Sequence, residues 1–392
     1  MAPIRLAHLV SHPIPYEVPL YRELARRPEV ELTVYYYSDA SVRGYQDVEF
    51  GRHVAWDTPL LEGYHSRFLP SAAGARIQGR WGAPLQWDLL RTLHAELHDV
   101  IWLHSYAHAN AVVVAAVAPA RGVRVLIRED QTLLHERARH LAVSKRVLLR
   151  ALFARTWGLY TGEESRRHFL HYGMPPERLS AARHCVDNGF FQARATELRP
   201  QREALRGEFG IDPDLPLIVS VAKLIPKKGP LVLIEAFERL RTRHPCALLL
   251  VGDGSQHDEA AALVEARGIP DVRFAGFLNQ SEVPAAYAAA DVFCLASVLH
   301  ETWGLVVNEA MNFGLPVVVT DKVGSAPDLV RPERNGFVVP SGDPESLASA
   351  LETLVTNDSL RARFGEQSRC IVDEYSIEAC ADGIIVACAA PG

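Results

Sequence analysis

Val292-Phe293-Cys294-Leu295 is followed by His300-Glu301-Thr302-Trp303-Gly304-Leu305-Val306-Val307-Asn308-Glu309-Ala310-Met311, and then by Gly314-Leu315-Pro316-Val317-Val318-Val319-Thr320. The first run is apolar without alternation, the pattern of a strand covered on both faces. The stretch entering at Gly304 reads as a short helix, and Gly314 is placed to end it in the left-handed conformation. A second apolar, β-branched run starts at Pro316. Strand, helix, strand with continuously apolar strands is the repeating unit of a parallel sheet. Amides near Gly304 and Leu305 would open at the start of the helix, a natural seat for an anion. Glu301 lies on the loop before the helix, and Glu309 about one turn in.

The same grammar runs outward in both directions. Ile4–Val10, Leu32–Tyr37, Val100–Leu103 and Val123–Ile127 read as buried strands in the first half. Leu217–Val221, Ala247–Val251, Val292–Leu295, Pro316–Thr320 and Phe337–Val339 do so in the second. A chain of 392 residues is long enough for two domains. The expectation is an α/β protein of two Rossmann-like doubly wound domains facing across a cleft, residues 1–200 and 201–372. A last helix, about 373–392, would pack back on the first domain. In such sheets ligands sit at the carboxyl ends of the strands.

Composition excludes several classes. The apolar run Ala111–Ala118 is far short of the ~20 residues of a membrane span, and the start of the chain lacks a signal-type core; a cytoplasmic protein is expected. The six cysteines form no close pair and read as free core thiols. Residues 1–200 carry 25 Lys and Arg against 20 Asp and Glu, and the remainder 16 against 27. This is not the concentrated basic face of a nucleic-acid binder. The basic helix around 133–155, with Arg137, Arg139, Lys145, Arg146 and Arg150, is either a solvated face or a contact for an anionic membrane.

Two further stretches bear on chemistry. Val221-Ala222-Lys223-Leu224-Ile225-Pro226-Lys227-Lys228-Gly229-Pro230 follows a strand, where lysines suit a diphosphate. Val251-Gly252-Asp253-Gly254 ends another strand with glycines that allow close backbone approach. Singly, these are a surface lysine cluster, a turn and a pair of solvated glutamates. Together, and with Phe274-Ala275-Gly276-Phe277 and Gly314-Leu315-Pro316-Val317-Val318, they resemble the second domain of GT-B glycosyltransferases. The resemblance is to retaining, bacterial enzymes of the glycosyltransferase family 4 type, and it covers about residues 216–340. It implies that Lys223 and Lys228 bind the diphosphate of a UDP- or GDP-sugar donor and stabilise the leaving group. It further implies that Glu309 binds ribose, Glu301 the donor sugar, and the Phe277-Leu278 backbone the base. Gly252, Gly254 and Thr302-Trp303-Gly304-Leu305 would line the donor. The family usually has Arg where this chain has Lys223, so the charge is kept and the fork is lost.

In the first half, Asp99-Val100-Ile101-Trp102-Leu103-His104 resembles the family strand that ends in a histidine beside the donor sugar. His104 is thus a catalytic candidate, with His108 near it. His12 and Tyr16 follow the first strand, where many members have a Gly-Gly loop, and are candidates for acceptor binding. So are Arg128, Glu129 and Asp130, for which a structural ion pair is the alternative. Tyr45, Trp81 and Trp87 are either sugar-stacking or core aromatics.

No cofactor and no metal are expected. Asp212-Pro213-Asp214 spells a metal-binding triplet of another glycosyltransferase fold, but lies in a Pro-rich turn. The implied reaction is retaining transfer to a hydroxyl or other nucleophile of a glycan, lipid or small metabolite. The alternatives are an epimerase or hydrolase on the same fold, or a non-catalytic two-lobed sugar-binding protein.

Overall fold

The computed structural model describes residues 2–47, 51–74, 86–133 and 139–391. Arg137 and Trp81 lie outside them. The strands in chain order are β1 (Ile4–Val10), β2 (Val30–Tyr36), β3 (Tyr45–Asp47), β4 (Arg52–Val54), β5 (His65–Phe68), β6 (Val100–Leu103), β7 (Arg124–Glu129), β8 (Trp157–Tyr160) and β9 (Leu179–Ala181), then β10 (Leu217–Val221), β11 (Ala247–Val251), β12 (Val272–Gly276), β13 (Val292–Leu295), β14 (Val317–Thr320) and β15 (Gly336–Val339). They form a seven-stranded sheet, β5-β2-β1-β6-β7-β8-β9, a six-stranded sheet, β12-β11-β10-β13-β14-β15, and a two-stranded sheet, β3-β4. Every pairing with a described register in the two large sheets is parallel.

Each large sheet belongs to one of two compact units. The first holds residues 1–45, 58–186 and 375–392, the second 46–57 and 187–374. The sequence places the change of domain at 200. Helix Asn188–Leu198, capped by the Asp187 carboxylate, instead belongs to the second unit, where it packs on helices Val283–Ala289 and Val306–Asn312. Gln192 Nε2 fixes it further through Asn312 Oδ1 (3.0 Å) and Asp373 Oδ1 (2.8 Å).

In the first unit the chain returns at its end. Helix Ile377–Ala389 buries Cys380, Ala381, Ile384, Ala387 and Cys388 in the core formed by β1, β2 and their covering helix. Arg124 satisfies the last carbonyls of this helix, at Ala387 (3.0 Å) and Cys388 (2.7 Å), a cation where the helix dipole favours one. Helix Ala109–Val117 buries Ala111, Val114 and Ala115. Among the described residues no helix is long and apolar enough to cross a membrane.

Strands β3, β4, β5, β8 and β9 are not among the strands that the sequence pattern predicts. β5 and β9 are edge strands, three or four residues long and at least half polar or small. Edges are where an apolar run is not required. β8, Trp-Gly-Leu-Tyr, is interrupted by a glycine.

The heart of the first unit contains an ion pair. Glu17 and Arg128 are each 2% exposed, and Arg128 Nη1 meets both Glu17 oxygens at 2.7 and 2.8 Å. Removing one member leaves an uncompensated buried charge, which is strongly destabilising. Glu17→Ala is therefore expected to destabilise the first unit by about 3–5 kcal/mol. Urea unfolding followed by hydrogen exchange in β1 and β7 checks this, and an unshifted midpoint contradicts it.

Candidate functional site

Both large sheets reverse their winding once, between β1 and β6 and between β10 and β13. The loops leaving those strands diverge there and open a space at the strand ends. The candidate residues gather at these two places, each within its own unit.

In the first unit, β1 delivers His12 and Tyr16, and β6 delivers His104 and His108. His104 is held by its own amide, which donates to the Leu9 carbonyl at 3.1 Å. Its Nδ1 and the His108 Nε2 are buried without a hydrogen-bond partner among the described residues. Burial lowers the pKa of both imidazoles. His12 shares a 2.8 Å hydrogen bond with Ser11 Oγ, and burial with repulsion from His104 and His108 pushes it down to about 4. The three rings are thus neutral bases near pH 7. Tyr16 is 39% exposed.

The charges after β7 divide in role. Arg128 is consumed by Glu17 and by the Ala182 carbonyl at 3.3 Å. Glu129 is 2% exposed and accepts from Ser105 Oγ at 3.0 Å. Burial, reinforced by Asp130, pushes its carboxyl up to about 8. Asp130 is more open and lies 4.0 Å from the buried His184. Of the three, Asp130 is the one whose side chain remains accessible.

In the second unit, the loops after β10, β11 and β13 are bound into one another by main-chain hydrogen bonds. Ala222 donates to Val251, Leu224 to Asp253, and Gln256 to Leu224, at 2.8–3.0 Å. Such contact demands glycine at 252, where φ is +135° and a Cβ would fall 2.0 Å from the Ala222 carbonyl oxygen. Gly254 likewise abuts Leu224. The close approach expected of these glycines is therefore to the protein's own chain, and its effect is to fix the base of the Lys223 loop. Val298 donates to the Lys227 carbonyl at 2.9 Å and ties that loop to the one after β13.

On this frame the lysines meet carboxylates. Lys228 Nζ forms a short ion pair with Glu301, and Lys227 Nζ lies 4.0 Å from the same carboxylate. Lys227 thus flanks Glu301. The Glu301 backbone is pinned by bonds to Lys322 (2.7 Å) and Gly324 (3.0 Å). Lys223 Nζ meets Asp47 at 3.2 Å, an acidic partner from residues 46–57 that no spacing in the sequence announces. Gly304 takes φ +90°, and a Cβ there would touch Leu295, Glu301 and Val323. The helix that follows, Val306–Asn312, has seven residues. Trp303 is 3% exposed and donates its indole N–H to Asn308 at 2.8 Å, so its side chain is spent internally. Thr302, Leu305 and Leu278 are partly exposed, and the Phe277 ring lies beneath the Arg52 guanidinium, 4.8 Å away. Asp212 is occupied by the Asp214 amide at 2.9 Å in an exposed turn. Among the described residues no three His, Cys, Asp or Glu side chains gather as a metal site would require.

Residues 201–370 match the family model described as glycosyl transferases group 1. The lipopolysaccharide core biosynthesis glycosyltransferase LpsE of Rhizobium meliloti is 35% identical over 46% of this chain and 52% of its own length. The alpha-D-kanosaminyltransferase of Streptomyces kanamyceticus is 30% identical over 53% of each. A D-inositol 3-phosphate glycosyltransferase of a Nocardioides species is 29% identical over 80% of this chain and 64% of that one. The chain spans about half the length of the first two relatives. Among solved structures, a glycosyltransferase from Rickettsia africae covers 100% of both chains with a TM-score of 0.76 at 16% identity. Anabaena HepE in complex with UDP covers 97% of this chain and 98% of its own with a TM-score of 0.73 at 20% identity. The fold is GT-B.

One more feature of the matched segment was hidden from the sequence. Glu309 accepts a 2.7 Å hydrogen bond from Tyr287, which projects from helix Val283–Ala289, 22 residues earlier. Burial of the carboxyl pushes it up to about 7, against this bond, which lowers it. The folded state therefore holds a proton that an unfolded glutamate releases near 4.5. That contribution to stability is complete below about 4.5 and is lost as pH rises to about 7. Glu309→Gln removes the loss. Its gain in stability over the parent should be small at pH 4 and grow by roughly 1–3 kcal/mol at pH 8. Urea midpoints at the two pH values test this, and equal differences contradict it.

Proposed function

We propose that this chain transfers a sugar from a UDP- or GDP-sugar to a nucleophile, most simply a hydroxyl, with retention of anomeric configuration and without a metal. The observation that carries the reading is the Lys228–Glu301 ion pair, which joins the loops after β10 and β13 at the second unit's switch point, with Lys223 on the first loop and Glu309 on the helix after the second, inside the segment that matches glycosyl transferases group 1. HepE, solved with UDP and with UDP-glucose, supports a nucleoside-diphosphate donor by fold analogy.

The chemistry assigns a task to each group. As the bond from the anomeric carbon to the phosphate oxygen breaks, negative charge grows on the diphosphate. Lys223 and Lys228 face that charge with ammonium groups already in place, which lowers the barrier more than it aids ground-state binding. Glu301, fixed by its backbone, accepts from hydroxyls of the donor sugar. Glu309 accepts from the ribose diol, more strongly above pH 7, where it is ionised. The acceptor oxygen bonds to the anomeric carbon on the face the diphosphate leaves, and its proton passes to the departing phosphate. Within the first unit, His104 is the catalytic candidate, and His12, Tyr16, His108 and Asp130 are the candidates for acceptor binding. The acceptor is a glycan, a lipid or a small metabolite; the relatives' names include lipopolysaccharide core biosynthesis and D-inositol 3-phosphate.

Lys228→Met keeps the apolar stem and removes the charge, and should lower kcat by about 10²-fold, the scale of one preorganised electrostatic donor. Donor-consumption kinetics with an acceptor panel measure this, and an unchanged kcat contradicts the role. Glu309→Ala should weaken nucleoside-diphosphate binding at pH 8 by roughly 1.5–3 kcal/mol. Calorimetry with UDP and GDP measures it, and equal affinity for the altered and parent proteins refutes the ribose assignment.

A further inference from the structure

The segment Gln46–Asp57 comes from the first half of the chain, between β2 and β5, yet belongs to the second unit. Three anchors hold it there. Asn279 Nδ2 donates to the Ala55 carbonyl at 3.0 Å, the Ser281 amide to Asp57 Oδ2 at 3.2 Å, and Arg52 stacks over Phe277 at 4.8 Å. The two-stranded β3-β4 sheet stiffens the segment. Its consequence is to carry Asp47 to Lys223, whose ammonium lies 3.3 and 3.2 Å from the two carboxylate oxygens.

We propose that Asp47 is a built-in competitor for the donor's diphosphate, holding Lys223 until the diphosphate displaces it and so setting the affinity of the site. The inference rests on the reading of Lys223 as a diphosphate ligand. A single lysine cannot pair fully with both a carboxylate and a phosphate, and a carboxylate beside the phosphate repels it. The pair is of the kind that yields. The side chains are 24% and 14% exposed, against 3% and 3% for Arg128 and Glu17, and ion pairs open to water are weak and screened. A diphosphate carries more charge than one carboxylate and wins the lysine, but with part of its affinity offset. That offset favours release of the nucleoside-diphosphate product, which carries more charge than the sugar-linked donor. The anchors at 279, 281 and 277 keep Asp47 near enough to recapture Lys223 when the product leaves.

The test is a double-mutant cycle read by calorimetry on the full chain, with UDP and GDP as probes at fixed salt. Asp47→Asn should tighten nucleoside-diphosphate binding about two- to fivefold, the range of one partly exposed ion pair. In a Lys223→Met background the same substitution should change affinity far less, because the contested ammonium is gone. Unchanged or weakened binding in Asp47→Asn overturns the competitor role while leaving the donor reading intact. Equal tightening in both backgrounds also overturns it, since general charge removal would then be the cause. Failure of the parent protein to bind either nucleotide overturns the donor reading and this inference together.

Discussion

Strand direction is the constraint on which everything else here depends. In each large sheet the paired strands are parallel, so each strand ends at the same edge, and the loops that follow are forced into one neighbourhood. Where the winding reverses, two such loops part, and side chains far apart in sequence come together. Lys228 and Glu301, 73 residues apart, make an ion pair for this reason. His12 and His104 are brought to the corresponding edge of the first sheet, on the loops after β1 and β6.

The loops themselves are made rigid by main-chain economy. Glycine at 252 lets the turn after β11 lie directly on Ala222, so Lys223 and Lys228 grow from a base whose amides and carbonyls are already satisfied. The charged tips are less committed. Glu301 is held by its backbone and shared by two lysines, and Asp47 is delivered to Lys223 by a segment from elsewhere in the chain. A rigid base with exchangeable ion pairs suits a site that must accept a highly charged ligand and then let it go. The Glu17–Arg128 pair is of the opposite kind, committed and closed off from water, with both side chains 3% exposed.

The central strands were legible because burial on both faces demands uninterrupted apolar residues. β6, β10, β11 and β13 carry the residue limits read from the sequence. Edge strands such as β5 escape that demand and left no pattern. The lysine and glutamate motifs were legible because each follows a strand directly. Their partners were not. Tyr287 reaches Glu309 and Asp47 reaches Lys223 through tertiary packing that no local spacing encodes. Arg128 shows the same limit from the other side. Its place at a strand end allows either acceptor binding or an internal pair, and the pair is visible only once Glu17 is seen across from it.

The central claim is spatial: a nucleoside diphosphate sits on the loops after β10 and β13 of the second unit. Hydrogen–deuterium exchange with and without saturating UDP or GDP locates it most directly, because a ligand that binds the native state suppresses local opening where it binds. The account predicts slowed exchange in peptides covering residues 222–229 and 301–309, together with the 46–57 segment changing as Asp47 is displaced. Protection absent from those peptides, or confined to the first unit, would contradict it.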